Sequence, residues 1–143
     1  METKLIKEDK AARLALYPAE CKDDYWECVI ADVGCPAPGA FVASIIGMDV
    51  KAVGAWLSRD GGAASMSFGR EKAALRASKL ELSDLSGDWD VSFASVGDAA
   101  KLWRGIAASG TLSLIVGGRT ISFPPAGDTK KALIELAKFC AAE

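Results

Sequence analysis

A chain of 143 residues, half of them apolar and a quarter charged, has the size and composition of one globular domain, long enough to bury roughly two-thirds of its unfolded surface. Its formal net charge of −2 argues against a nucleic-acid partner, since phosphate neutralisation needs a basic face, and no Lys/Arg run suggests an anionic membrane surface. The longest apolar-leaning run, Ala40 to Met48, falls short of the roughly 20 residues that span a bilayer, so no membrane insertion is expected.

Lys4, Lys7, Glu8, Asp9 and Lys10 follow Met1, which is not the pattern of a signal peptide. The reading is then either a cytoplasmic protein or a mature form freed of its export signal. Lys4 to Leu16 has helix-forming composition, with Leu5, Ala12 and Leu16 on one side, and predicts an N-terminal helix or a frayed arm that Pro18 ends. From Cys21 to Cys28 the chain reads as a turn leading into a strand over Tyr25 to Val33, with Trp26, Cys28 and Ile30 on one face. Gly34 to Gly39 is a loop by composition. Phe41 to Gly47 is almost continuously apolar, as a central strand covered on both faces would be.

Arg59-Asp60-Gly61-Gly62 carries the chemistry of a hairpin turn, which predicts strands over Val53 to Ser58 and Ser65 to Phe68. Between Ala73 and Leu82 the first half favours helix, but Leu80 and Leu82 alternate, so a strand is expected from about Arg76. After the turn Ser86-Gly87-Asp88, the residues Trp89, Val91 and Phe93 share one face of a strand, with Asp90 and Ser92 on the other. Asp98 then caps a helix to Ser109 bearing Leu102, Trp103 and Ile106, and Gly110 supplies its stop. Leu112, Leu114 and Val116, the turn Gly117-Gly118, and Ile121 with Phe123 spell a hairpin that Pro124-Pro125 closes. Asp128 or Thr129 caps a last helix with Ala132, Leu133, Leu136, Ala137 and Cys140 in one stripe. Six to eight strands with few helices predict a mainly β fold. It is an antiparallel β-sandwich or a strongly bent antiparallel sheet, closed by the C-terminal helix and bordering on α+β.

The absence of histidine removes Ser-His-Asp, Cys-His and histidine-ligated metal sites, and no Walker, dinucleotide or nucleophile-elbow motif occurs. No cofactor and no metal are therefore expected. Asp84, Asp88 and Asp90 form the best carboxylate cluster, but their spacing misses the calcium loop and suits an ordinary turn. Trp26, Trp56 and Trp89 are read as core residues on strands. Trp103 shares its helix with Lys101 and Arg104; core packing is the simpler account, with a half-exposed interface anchor as the alternative.

Cys21, Cys28, Cys35 and Cys140 admit three disulfide connectivities in an exported protein, four free thiols in a cytoplasmic one, or an all-cysteine zinc site without any C-x-x-C pair. Cys140 lies on an apolar stripe, where only the N-terminal cluster can meet it. The favoured pairing is Cys21–Cys28 with Cys35–Cys140.

A helix, Gly110, the strand Leu112 to Val116, Gly-Gly, the strand Arg119 to Phe123, Gly127 and a helix bearing Ala132-Leu133 together resemble the end of the invasion-associated locus B family of exported bacterial proteins. A similar close, glycine then a helix ending at cysteine, occurs in small periplasmic accessory proteins of type VI secretion. Where the family usually carries Ser-Leu-Lys-Gly-Phe, this chain has Pro125-Ala126-Gly127-Asp128. The resemblance spans about a third of the chain. It implies export, a β-sandwich and a non-enzymatic role, and it supplies no functional residues.

The function expected from these readings is that of a periplasmic or secreted protein-interaction module of the bacterial envelope, with another protein as its partner. An alternative is an immunity or inhibitor protein that blocks a secreted toxin or hydrolase. For it, the loop Lys22-Asp23-Asp24-Tyr25-Trp26 offers acidic and aromatic contacts, with Asp23, Asp24, Tyr25 and Trp26 as candidates beside Trp103. A hydrolase built on a carboxylate pair is the remaining class, though no such pair stands out.

Overall fold

The computed structural model describes residues 1–21, 28–82, 87–125 and 130–141. Among these, nine strands form one antiparallel sheet: β1 (Glu2–Lys7), β2 (Ala12–Tyr17), β3 (Ala31–Cys35), β4 (Val42–Met48), β5 (Ala63–Phe68), β6 (Glu71–Leu82), β7 (Trp89–Ser95), β8 (Leu112–Val116) and β9 (Arg119–Phe123). Their order across the sheet is β1-β2-β3-β4-β7-β6-β5-β8-β9. The fold is mainly antiparallel β, with the sheet curled around a shared core.

Two connections must skip over strands, β4 to β5 and β7 to β8, and a helix bridges each. Helix α1 (Val50–Asp60) buries Val53 and Trp56, and helix α2 (Ala99–Ser109) buries Leu102, Trp103 and Ile106. Both lie against the apolar side of the sheet, where Val33, Ala43, Ile45, Val91, Phe93, Met66, Leu114 and Phe123 gather in the same core. Helix α3 (Lys131–Cys140) packs against α2 and β1–β3. Its stripe of Leu133, Leu136, Ala137 and Cys140 is buried, as its periodicity requires.

Where local chemistry is self-sufficient, the structure follows it. Asp98 accepts hydrogen bonds from the Ala100 and Lys101 amides at 3.0 and 3.4 Å, and Gly110 ends α2 with φ 69°. The β8–β9 hairpin turns through Gly117 and Gly118, both at positive φ.

Five expectations are corrected. Lys4 to Leu16 is no helix but the β1–β2 hairpin, closed by the Glu8 N–H on the Ala11 carbonyl at 2.8 Å. Val53 to Ser58 is helical: Asp49 accepts from the Lys51 and Ala52 amides at 3.1 Å, and Gly61 stops α1 in the left-handed region. The Asp60-Gly61 pair is therefore a helix terminus rather than a hairpin turn, and Trp56 is a helical core residue. Of the strand expected at Tyr25 to Val33, the part before Cys28 lies outside the described residues and Cys28 to Ile30 is not strand; the strand is Ala31–Cys35, whose core-facing residues Ala31, Val33 and Cys35 have the opposite parity. Gly34 and Cys35 thus belong to a strand and not to a loop. Finally, β6 begins at Glu71 rather than near Arg76, because Gly69-Arg70 turns it back on β5.

Candidate functional site

The four cysteines are bonded in pairs, Cys21 to Cys28 and Cys35 to Cys140, with Cα–Cα separations of 6.2 and 5.8 Å. This is the favoured pairing, and it leaves no thiolate for zinc or nucleophilic chemistry. Cys35 ends β3 and Cys140 ends α3, so the second bond joins the C-terminal helix to the sheet. The Gly39 N–H donates to the Cys140 carbonyl at 2.8 Å beside it.

The acidic-aromatic loop, Asp23, Asp24, Tyr25 and Trp26 among its residues, lies outside the described residues, as does Asp84. Trp103 is no surface anchor. It is fully buried, its Nε1–H donates to the Ala40 carbonyl at 2.6 Å, and its ring packs 5.1 Å from that of Phe41. The indole thus satisfies its one polar atom inside the core. Asp90 is structural too: its Oδ1 accepts the Gly47 N–H at 3.0 Å, joining β7 to β4 beside the register shift between Ile45 and Met48.

Two surface features stand out among the described residues. The first is on the side of β2, β3, β4 and β7 turned away from the helices. Register places Asp32 opposite Ser44, and Ser44 opposite Ser92. Arg13 Nη1 donates to Asp32 Oδ2 at 3.3 Å, and the hydroxyls of Ser44 and Ser92 lie 3.1 Å apart. Burial pushes the Asp32 carboxyl above the usual carboxylate range. The Arg13 charge and hydrogen bonds from Arg13 and Ser44 act the other way.

Beside this row opens a cleft of about 300 Å³, lined among others by Ile6, Glu8, Arg13, Asp32 and Pro36. Its floor is Gly34, where a Cβ would collide with the Ala12 carbonyl oxygen and the Arg13 Cα of the adjoining strand. Bare backbone at that position lets β2 and β3 approach closely. The cleft offers an apolar wall, a half-exposed guanidinium and two carboxylates. Of these, Asp32 is engaged by Arg13, while Glu8 stands exposed.

The second feature is an apolar groove between α1 and the β6–β7 hairpin. Val50, Val53, Gly54, Leu57, Leu80 and Trp89 line a space of about 200 Å³. Val50, Leu57, Leu80 and neighbouring Leu82 are 37–53% exposed, and among the described residues they make up most of the exposed large apolar side chains. Sequence reading missed this groove because it placed Val53 to Ser58 on a strand; the signal was Asp49, Val50, Val53, Leu57 and Gly61 at helical spacing.

Among the described residues, no group of three His, Cys, Asp or Glu side chains converges as metal ligands, and no helix is long and apolar enough to cross a membrane. Set against protein-family models, curated proteins and solved structures, the chain matches none.

Proposed function

We propose that this chain is a non-enzymatic protein-interaction module of the bacterial cell envelope, working in the periplasm or outside the cell with another protein as its partner and not with nucleic acid. The observation that carries the reading is the groove of Val50, Leu57 and Leu80, with exposed Leu82 beside it. Clustered large apolar side chains at a surface mark contact sites, because their exposure to water is costly unless something covers them. Export is supported by the two disulfides, which persist in oxidising compartments and are rare in the cytosol. The reading takes the curled sheet as the sandwich that the invasion-associated locus B resemblance implies, with membership of that family as part of the proposal.

The test is affinity capture from an envelope fraction with the oxidised chain and with L57S/L80S. Capture that is stoichiometric and lost in the variant is the expected result. Equal capture by both would defeat the assignment.

A second reading, as an immunity or inhibitor protein, rests on the Cys21–Cys28 bond. That bond closes the acidic-aromatic segment at its base and so lowers the entropy lost when the segment docks. It requires binding to weaken on D23N/D24N/W26A while L57S/L80S leaves it intact. The catalytic alternative has less support. The cleft does hold two carboxylates, but Asp32 is already engaged by Arg13, and no hydrogen bond among the described residues links it to Glu8.

A further inference from the structure

Strand β6 is longer than the partner on one of its sides. β5 accompanies it from Glu71 to Arg76, and the Ala77 N–H still reaches the Gly62 carbonyl at 2.9 Å. Past that point the chain at Gly61 and Gly62 turns back into α1. β7 continues along the opposite side of β6 as far as the Leu82–Trp89 pair. Ser78–Leu82 is therefore a strand edge that no described strand covers, and all five of its residues are exposed.

Such an edge offers a row of unpaired backbone donors and acceptors, and proteins ordinarily blunt or cover it. The sheet's outer edges are blunted by charge: β1 carries Lys4 and Lys7, and β9 opens with Arg119. The β6 edge also carries charge, Lys79 and Glu81, but alternates it with an exposed Leu80 and Leu82. Leu80 and Leu82 stand opposite Val91 and Trp89 in the ladder, hence on the α1 side, where Leu80 lines the groove and Leu82 lies next to it along the strand. Lys79 and Glu81 share the other face and lie 3.1 Å apart.

We propose that the partner at this edge is a second copy of the chain, the two β6 strands pairing antiparallel about a two-fold axis at Leu80. The inference rests on the groove being a binding site and names its occupant. A two-fold contact must be self-complementary, and this one is. With Leu80 opposite Leu80 of the second copy, Lys79 falls opposite Glu81 of that copy, and Glu81 opposite its Lys79. Two cross-strand ion pairs form on one face while the leucines meet on the other. Residues directly opposite in such a ladder share a face, so both α1 helices lie on the same side of the joined sheet. Their exposed Val50 and Leu57 then flank the leucine contact. An unrelated peptide strand would gain the same backbone bonds, but nothing in Lys-Leu-Glu selects it.

The test is sedimentation equilibrium of the oxidised chain, with K79E, E81K and the double variant K79E/E81K. Expected is a species of twice the chain mass. Each single exchange converts two attractive pairs into two like-charge pairs and weakens the dimer about tenfold or more, while the double exchange restores it to within about threefold. These side chains are exposed, so all three variants keep the parent circular dichroism. A chain that stays monomeric at about 100 µM overturns the proposal, as does a dimer indifferent to the single exchanges. If the monomer still captures a different protein through Leu57 and Leu80, the binding-module reading survives without the dimer; if it captures none, both fall.

Discussion

Removal of the Cys35–Cys140 bond is the perturbation whose size the structure fixes best. The two residues are 105 positions apart, whereas Cys21 and Cys28 are separated by 7. In the chain-entropy treatment, a cross-link stabilises by restricting the unfolded chain, and the effect grows with the logarithm of the loop. The long loop is worth about 4.8 kcal/mol and the short one about 2.4 kcal/mol, so the two deletions should differ by about 2.4 kcal/mol. Truncation adds to the first, because Cys35 and Cys140 are buried in the core cluster and their sulfurs would leave small voids. A domain of this size holds about 5–15 kcal/mol in total, so C35A/C140A removes a third of it at least. The assay is urea denaturation of the oxidised parent, C35A/C140A and C21A/C28A, read by tryptophan fluorescence. Non-reducing peptide mapping of the parent must first find both bonds. Equal losses for the two variants, or a larger loss for C21A/C28A, would refute the reasoning.

The remaining predictions concern single side chains. W103F forfeits the 2.6 Å bond to Ala40 and leaves that carbonyl without its donor, a cost of about 1–3 kcal/mol by chemical denaturation; an interface residue would instead lose binding and keep its stability. G54A should stabilise by about 0.5–1 kcal/mol, since Gly54 sits in α1 with nothing within 4 Å of a Cβ, while G105A should destabilise by about 1–3 kcal/mol because its Cβ would stand 2.5 Å from the Phe68 ring. Equal effects of the two would contradict the packing described. Asp32 should titrate above its ordinary value in carboxyl NMR, and R13Q should raise it further by removing the opposing charge. The sign follows: between the unfolded and folded titration points the folded chain binds more protons, so this group's contribution to stability falls as pH rises through that window.

The sequence was most legible where a few neighbouring residues decide the outcome. Asp98 and Gly110 bracket α2, and Gly117-Gly118 turns the β8–β9 hairpin, with no help from the rest of the chain. It was least legible where burial on both faces erases periodicity. In β2, Leu14 and Leu16 face the core while Ala15 and Tyr17 are buried on the opposite side, so an apolar run without alternation read as a thin helix. The β1–β2 turn gave no signal either, for Asp9-Lys10 lacks the glycine that marks most tight hairpins. At Asp60-Gly61 the same dipeptide serves two purposes, hairpin turn or helix stop. Only the cap at Asp49, eleven residues earlier than Asp60, separates them. Of the surface features, the α1–β6 groove went unseen because it depends on that helix, and the Gly34 cleft because it depends on a backbone contact between two strands.

Helix α3 shows why oxidation carries so much of this fold. A ten-residue helix is marginal in water by itself; Lys130, at its N-terminal boundary, makes no side-chain cap, and the cap expected from Asp128 or Thr129 lies outside the described residues. Among the described residues, its hold on the domain comes from tertiary contacts instead, the Gly39 N–H on the Cys140 carbonyl included. The buried stripe meets α2 and the sheet, Glu135 accepts from Lys7 of β1 at 2.8 Å, and Cys140 is bonded to Cys35. Lys7 and Glu135 are both well exposed, and surface pairs of that kind are screened by water and salt. Reduction would leave chiefly the stripe, with the exposed Lys7–Glu135 pair and the Gly39 hydrogen bond, to hold the last helix against the entropy of a long free loop. Without α3, the apolar faces of β2, β3 and α2 would be bared to water. The bond therefore couples the closure of the core to the redox state of the surroundings, which is the physical reason to expect this chain in an oxidising compartment.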